Sequence, residues 1–149
     1  MKILLRSFIA IATLVTVFSC DAKTSCSNSL FDSIDVEKSL SGAELQKPYL
    51  LNKLGVVEGE ENCFLTYYYE KEFGNKRLTK RLIIIPSKGE DFGLYAIPET
   101  PLEIKNKTIH FKLQEKTGNQ VSLNIPELPK SIYLDAELYD LSLHKKVVK

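Results

Sequence analysis

The sequence lacks any excess of one charge sign. Its 149 residues include 20 Lys and Arg against 19 Asp and Glu, so the formal net charge is +1. Domains that bind nucleic acid usually carry a strongly basic surface or stripe, because phosphate contacts supply most of their affinity. We therefore expect no nucleic-acid partner.

The sequence also lacks the short motifs of common enzymes. It contains no G-x-S-x-G, no H-E-x-x-H, no phosphate-binding loop and no G-x-G-x-x-G after a strand,. Of its two histidines, His110 alternates outward on a predicted strand and His144 lies in a basic tail, so we expect both at the surface,. We predict a protein without enzymatic activity, cofactor or metal, with an enzyme of unrecognised type as an alternative.

Acidic residues group in two predicted loops without the spacing of a calcium-binding EF-hand. Solvation is the usual role of such loop carboxylates, and we expect neither group to hold a metal. The two groups are Glu58, Glu60 and Glu61, and Glu90 and Asp91.

The one long apolar run stands at the start of the chain. Lys2 and Arg6 give a positive beginning, and an apolar run extends from Phe8 to Phe18. This order is typical of a secretory signal peptide. The run is shorter than the roughly 17 to 25 residues that cross a bilayer, so the sequence predicts export rather than a membrane-spanning anchor.

The end of this segment resembles the signal of bacterial lipoproteins. Val17 stands three places before Cys20, and the small residue Ser19 immediately precedes it. The resemblance covers the signal peptide and this cleavage motif only. It implies that Cys20 becomes the amino terminus and carries lipid, palmitate included, on the inner or outer membrane facing the periplasm. The alternative is a secreted protein without lipid, cleaved after Ser19 or Ala22.

We therefore divide the chain into three parts: residues 1–19 as signal peptide, residues 20–28 as lipidated amino terminus and short tether, and residues 29–149 as a single β-rich domain. Loss of Lys2 and Arg6 with the signal leaves 18 basic and 19 acidic residues. Because the mature chain is nearly neutral, its attraction to a membrane has to come mainly from lipid. More than one acyl chain is needed for stable anchoring.

The chain has three cysteines, and lipid on Cys20 leaves Cys26 and Cys63 as a pair. Exported proteins meet an oxidising environment in which such pairs form disulfides. A bond between them encloses about 38 residues and pins the start of the domain to its first strong strand. Two free thiols are the alternative. No C-x-x-C spacing indicates a metal site.

Residues 29–54 have a mixed pattern that predicts one or two short helical turns. Leu30 and Ile34 can line one side of such a turn. Ser41 and Glu44 have the spacing of a capping box that begins a helix, and Gly55 resembles a helix stop,.

The regular pattern begins at residue 62 and has a period of two. Residues 62–72 and 78–85 predict a hairpin, and four consecutive apolar residues at 82–85 predict that its far end is covered on both faces,. Short strands are predicted near residues 93–97, 102–104, 109–113 and 121–125. A last strand is predicted at residues 132–139, for which a helix is the alternative, before a frayed end at residues 145–149.

About seven short strands without long helices argue against a parallel α/β sheet. The fold class we predict is all-β or mainly β, an antiparallel sandwich or small barrel.

Two groups of residues in the predicted hairpin are candidates for binding a partner. The alternative for the basic group is a structural role, in which its charges protect a solvated sheet edge against the addition of another strand. The alternative for the aromatic group is that its side chains pack within the sheet and bind no partner. The candidates are Lys71, Lys76, Arg77, Lys80 and Arg81 in the first group and Tyr67, Tyr68 and Tyr69 in the second.

The function we predict is that of an envelope lipoprotein whose β-domain binds a protein partner, with an inhibitor or immunity-type role as one form. The alternatives are a structural subunit of an envelope or secretion assembly and a secreted binding protein without lipid.

Overall fold

A computed structural model describes residues 25–43, 45, 47–111, 120–122 and 127–149. The predicted signal peptide, the predicted lipidation site Cys20, the capping-box residue Glu44 and the ends of the strands predicted near residues 109–113 and 121–125 lie outside the described residues. Within them there are a 3-10 helix, one α-helix and nine strands. These elements are the 3-10 helix Asn28–Phe31, α1 Val36–Gly42, β1 Leu50–Glu58, β2 Cys63–Glu72, β3 Leu78–Pro86, β4 Asp91–Ala96, β5 Pro101–Lys105, β6 Thr108–Phe111, β7 Gln120–Ser122, β8 Ser131–Leu134 and β9 Glu137–Lys145.

The strands form two antiparallel sheets. A curled six-stranded sheet has the order β1-β2-β3-β4-β9-β8, and a small sheet has the order β5-β6-β7. The mainly β prediction is therefore confirmed, with nine described strands rather than about seven. Strand β9 lies between β4 and β8, so the chain leaves the large sheet after β4, builds the small sheet and returns.

The predicted hairpin is confirmed as β2 and β3. Leu65 pairs with Ile85 and Tyr69 with Arg81 across it. The turn is closed by hydrogen bonds between Phe73 and Arg77 and between Lys76 and Phe73. The run at residues 82–85 is fully buried on both faces of the sheet, as its apolar pattern predicted,.

The inner face of the large sheet, which we define as the face that packs on the small sheet, forms one hydrophobic core. Phe64, Leu82 and Ile84 from the large sheet meet Ile109 and Phe111 from the small one. Burial of such side chains contributes roughly 1.5–3 kcal/mol each to folding. The two sheets therefore hold each other by apolar contact, in the manner of a sandwich.

Gly93 is part of this inner face. A Cβ atom there would lie 2.7 Å from Leu141 Cδ1 and 3.1 Å from Tyr95 Cε2. The absence of a side chain therefore allows β9 to pack closely beside β4.

The outer face, opposite the small sheet, is covered at one end by the amino-terminal helical segment. Phe31 and Leu40 pack there in a core cluster with Leu65 and Ile83. Cys26 and Cys63 lie at disulfide distance, with Sγ atoms 1.95 Å and Cα atoms 5.6 Å apart. The predicted cysteine pair thus joins this segment to the start of β2.

The predicted helical turns are present, but two predictions about their ends are wrong. Helix α1 begins after Asp35, whose carboxylate accepts a hydrogen bond from the Lys38 backbone N–H at 3.0 Å. That bond lowers the pKa of Asp35. Ser41 lies in the last turn of α1 and begins no helix. The spacing of Ser41 and Glu44 gave a wrong prediction of the helix start because Asp35 caps the helix earlier in the chain.

Gly55 does not stop a helix, because it lies inside β1. The pairing of β1 with β2 shifts register between Lys53 and Gly55, and Gly55 has φ +146° there. A glycine accommodates this bulge without steric cost. Pairing along almost the whole of β2 outweighs the weak local helix pattern.

The single strand predicted at residues 132–139 is two strands, and the helical alternative is wrong as well. Asp135 and Ala136 form the turn between β8 and β9, with φ of 48° and 66°. Two consecutive residues with positive φ are typical of a tight hairpin turn. The turn was missed because neither position is a glycine or asparagine.

The carboxyl-terminal residues are attached to the domain, so the prediction of a frayed end is wrong. The Val147 N–H donates to Ser39 Oγ at 2.8 Å, and Val147 O accepts from the Asp35 N–H at 2.7 Å. Ile34 also bridges Val148 as an isolated antiparallel pair. The partners lie more than a hundred residues apart in sequence, so no local pattern could indicate the attachment.

Candidate functional site

The amino-terminal segment covers only part of the outer face, and a groove of about 750 Å³ lies beside it. Strands β2, β3, β4 and β9 form the floor of this groove. Ala43 and Leu45, at the end of α1, form one wall. We call it the outer groove, and its floor and rim residues are Tyr69, Lys71, Phe73, Thr79, Arg81, Leu94, Ala96, Asp140, Ser142 and His144.

Strand alternation and register determine which side chains meet in the outer groove. Every second residue of β2 and β3 faces it, because side chains alternate across a strand. Tyr69 pairs with Arg81, and Arg81 pairs with Ala96 on the next strand. These three residues form a row across β2, β3 and β4.

The bottom of the outer groove is apolar. Tyr69 is only 2% exposed, and its ring centroid lies 5.2 Å from that of Tyr49. Burial raises the pKa of Tyr69, so its phenol is neutral at physiological pH. Leu94 is also buried. The floor is therefore fixed by packing, and polar groups stand around it.

Two cations line the β2–β3 side of the groove. The Lys71 ammonium lies 5.1 Å from the centroid of the Phe73 ring, a cation–π contact,. Arg81 Nη1 donates to the Lys80 backbone carbonyl at 3.2 Å. Within the described part of the chain, Arg81 has no acidic side chain within salt-bridge distance, so most of its five N–H donors are available to a ligand.

Strand β9 supplies a polar row on the opposite side of the groove. Asp140, Ser142 and His144 alternate with leucines and line the groove together. Ser142 Oγ and His144 Nε2 are 2.9 Å apart. The sequence prediction missed this row because it ended the last strand at residue 139, although the D-L-S-L-H alternation indicates it,.

The serine and histidine do not form a catalytic triad with Asp140. Asp140 and His144 are four residues apart on one strand, which separates their Cα atoms by roughly 13 Å. A triad needs the carboxylate at the histidine ring. The His144 ring packs instead on Phe92, with centroids 5.7 Å apart. The prediction that His144 is solvated in a tail is wrong, since it is a half-buried residue of β9.

The predicted basic group divides between surfaces. Lys71 and Arg81 line the outer groove, whereas Lys76 and Arg77 are exposed at the hairpin turn. Lys80 donates to the Pro98 carbonyl at 3.4 Å, away from the groove. Both β2 and β3 are interior strands of the sheet. The alternative that these charges protect a sheet edge is therefore wrong.

The predicted tyrosine row is packed rather than displayed. Tyr68 is 2% exposed in the inner core, and its hydroxyl hydrogen-bonds to Glu70 and Thr100. Tyr69 is the buried floor of the groove, and Tyr67 is half-buried on the same face. Ordinary sheet packing thus accounts for Tyr68, and only Tyr69 contributes to the groove.

Three residues of the predicted acidic groups make ion pairs of ordinary surface type. Glu90 and Asp91 both contact Lys145 Nζ, at 3.3 and 2.9 Å, and Glu58 lies 3.9 Å from Lys107. Among the described residues, no three metal-ligating side chains come together. His110 lies on β6 in the small sheet, apart from the outer groove.

An exposed apolar pair lies on the same face, beyond the groove. Tyr133 of β8 pairs with Leu138 of β9, and they are 53% and 67% exposed. Leu138 shares the face of Asp140 and Ser142 because the three residues are two apart on one strand. The outer face therefore carries a cationic side at β3 and an apolar side at the β8–β9 hairpin.

The described residues contain no helix of the length and apolar character needed to cross a membrane. Comparisons of the chain with models of protein families, with curated proteins and with solved structures found no match.

Proposed function

We propose that this protein is an exported lipoprotein, attached through lipid on Cys20, whose β-domain binds a protein partner through the outer groove. The role against a partner arriving in the periplasm is that of an inhibitor or immunity-type protein. The observation that carries the proposal is the groove itself, an open site with Lys71 and Arg81 at one side and the exposed Tyr133–Leu138 pair at the other.

The composition of this surface supports binding to a protein. Interfaces are enriched in aromatic residues and arginine, and their central contacts exclude water. Tyr133 and Leu138 are large apolar side chains left exposed side by side. A pair of this kind on the same face as Arg81 and the groove has the character of a contact surface. Binding of this type needs neither cofactor nor catalysis.

The membrane attachment is supported by the sequence at Cys20 and by the position of Cys26. Export to an oxidising compartment agrees with the Cys26–Cys63 pair,. Only six peptide units separate Cys20 from Cys26, and an extended chain of that length reaches about 20 Å. A lipid on Cys20 would therefore hold the domain close to the bilayer, where arriving proteins enter the envelope.

The test is chemical cross-linking and co-purification of the full chain from its native host. We expect one stoichiometric partner with the unmodified chain and loss of that partner with Lys71→Glu/Arg81→Glu. Lys76→Glu/Arg77→Glu is the matched control, since it makes the same charge change on the same hairpin outside the groove. Equal loss in both variants, or in neither, contradicts binding through the groove.

The same experiment distinguishes the alternatives. A set of membrane proteins in place of a single soluble partner indicates a structural subunit of an envelope or secretion assembly. Mass spectrometry of the mature amino terminus tests the anchor: we expect acyl chains on Cys20. An unmodified terminus after Ser19 or Ala22 contradicts the anchor and indicates the secreted protein without lipid.

A further inference from the structure

We infer that the outer groove takes an extended acidic peptide segment of the partner, whose carboxylate pairs with Arg81 and whose apolar side chain reaches the Tyr133–Leu138 pair. This inference rests on the proposed function and assigns the chemistry of the partner. It follows from the pairing of the floor strands, the placement of charge and the distance between the two sides.

The pairing of the floor strands shows how a ligand can be held. Strands β2, β3, β4 and β9 each have a hydrogen-bonded strand on both sides. A peptide therefore cannot be added to the sheet here through its backbone, as it could at an exposed edge. Recognition in the groove has to come from side chains, and Arg81 has the most available donors.

The charges around Arg81 determine the sign of the charge on the ligand. Arg81 presents a planar fork that matches a carboxylate with two parallel hydrogen bonds. It stands beside Lys71 on the next strand and the neutral hydroxyls of Tyr69 and Thr79. Within the described part of the chain, no acidic side chain lies within salt-bridge distance of Arg81, so its guanidinium favours a negative group.

Asp140 determines which way round the peptide lies in the groove. It lines the groove from β9, two strands away from Arg81. A second negative charge on the ligand would meet like charge there, which is a common source of specificity. A peptide with its carboxylate at Arg81 and an uncharged residue at Asp140 avoids this repulsion.

The spacing sets the distance between the two recognised side chains. From Arg81 to Leu138 and Tyr133 the path crosses two or three strand spacings and moves two residues along the strands. With about 4.8 Å between strands and 3.3 Å per residue, this distance is roughly 12 to 16 Å. An extended peptide covers it in about four residues. The ligand therefore has an acidic residue and an apolar residue about four positions apart.

The shape favours a peptide over two other anionic ligands. A small organic anion prefers a site that encloses most of its surface, whereas this groove has a sheet as floor and a wall formed by the residues that follow α1. An anionic lipid surface is flat and is attracted by clusters of several cations, whereas here Lys71 and Arg81 line a concave site that Asp140 shares.

The experiment measures binding of labelled hexapeptides to the full chain, purified in detergent with the Cys26–Cys63 disulfide intact. One set carries Asp or Glu four positions from Leu or Phe, and a second set carries Asn or Gln instead. We expect saturable binding of the acidic set and about ten-fold weaker binding of the amide set. No binding of any acidic peptide at millimolar concentration, or equal binding of both sets, overturns the inference.

Two variants of Arg81 test whether the carboxylate of the peptide binds at that residue. Arg81→Gln should weaken the acidic peptides about ten-fold, and Arg81→Lys should weaken them by a smaller factor, because it keeps the charge but loses the fork. Lys76→Gln, which removes an exposed cation on the same hairpin, should leave affinity unchanged. Unchanged affinity with Arg81→Gln overturns the inference. Circular dichroism of each variant reports whether the fold is retained.

Two further ligands separate peptide recognition from other anion binding. Binding of phosphatidylglycerol vesicles or of acetate that matches the acidic peptides in affinity overturns the peptide assignment. If the Arg81→Gln variant still captures the partner, this inference is contradicted, but the proposed binding of a protein partner is not. Peptide binding without any partner in the native host leaves this inference in place and contradicts the proposed function.

Discussion

The two faces of the large sheet are covered in different ways. The small sheet packs on the inner face and forms a continuous apolar core. The outer face carries a 3-10 helix and the seven-residue helix α1, attached by a disulfide at one end and by the carboxyl-terminal residues at the other. The groove lies where this shorter cover ends.

This difference lets one sheet serve stability on one face and, as we propose, recognition on the other. Inner-face residues meet apolar partners from a second sheet, so truncating them leaves a closed cavity. Outer-face residues at the groove border open space, where side chains and water can rearrange. We therefore expect substitutions to reduce stability most on the inner face and to affect binding most on the outer face.

The largest expected effect comes from a matched pair of leucines. Leu82→Ala empties a fully buried inner-face position, and Leu94→Ala empties a buried position at the groove floor that is 5% exposed. We expect Leu82→Ala to lower the free energy of unfolding by about 3–5 kcal/mol, and Leu94→Ala by less, because its cavity opens to the groove. Urea denaturation measures both. A larger loss for Leu94→Ala would contradict the comparison.

Removal of the disulfide should loosen the outer cover more than the inner core. Cys26→Ser/Cys63→Ser frees a loop of about 38 residues and should lower the free energy of unfolding by about 3–4 kcal/mol on the loop-closure model. Hydrogen exchange should accelerate in β6 by no more than this global loss and should accelerate further in α1, because local opening adds to it there,. Equal acceleration in both elements would show that the two covers are not separate.

The carboxyl-terminal attachment has a single hydroxyl at its centre. Ser39 Oγ donates to the Asp35 carbonyl at 2.7 Å and accepts from the Val147 N–H at 2.8 Å. Ser39→Ala leaves that N–H without its partner, so we expect a loss of about 1–3 kcal/mol in the free energy of unfolding. Ser41→Ala, on the exposed side of α1, is the control and should have little effect. Thermal denaturation compares the two.

The smallest effect should be confined to alkaline pH. Burial, with a hydrogen bond to Glu70, raises the pKa of Tyr68 to about 12, against about 10 for an unfolded tyrosine. A raised folded pKa gives stability that is present below pH 10 and is lost as the pH rises from about 10 to 12. Urea denaturation across this range should show a shallower decline for Tyr68→Phe. A decline identical to that of the unmodified chain would contradict this contribution.

Local pattern predicted several parts of the fold correctly. Alternation with aromatic and branched residues gave the β2–β3 hairpin, and four consecutive apolar residues gave its two-sided burial. The Cys26–Cys63 pair followed from counting cysteines. These predictions succeeded because period two, burial and turn chemistry are properties of neighbouring residues.

Other parts depended on contacts that no local pattern contains. The turn at Asp135 and Ala136 has positive φ at residues that do not demand it. The attachment of Val147 to Ser39 joins opposite ends of the chain. The candidate site was predicted only in part: Lys71 and Arg81 were singled out with the basic group, but Asp140, Ser142 and His144 were not.

The sequence by itself determined the β2–β3 hairpin and the cysteine pair, because each depends on residues close in the chain or on their count. Only the tertiary structure decided that Arg81 shares a groove with Asp140 and His144. That meeting requires β9 to return beside β4 after the small sheet is built. Strand order sets which side chains share a face, and the packing of two sheets fixes that order.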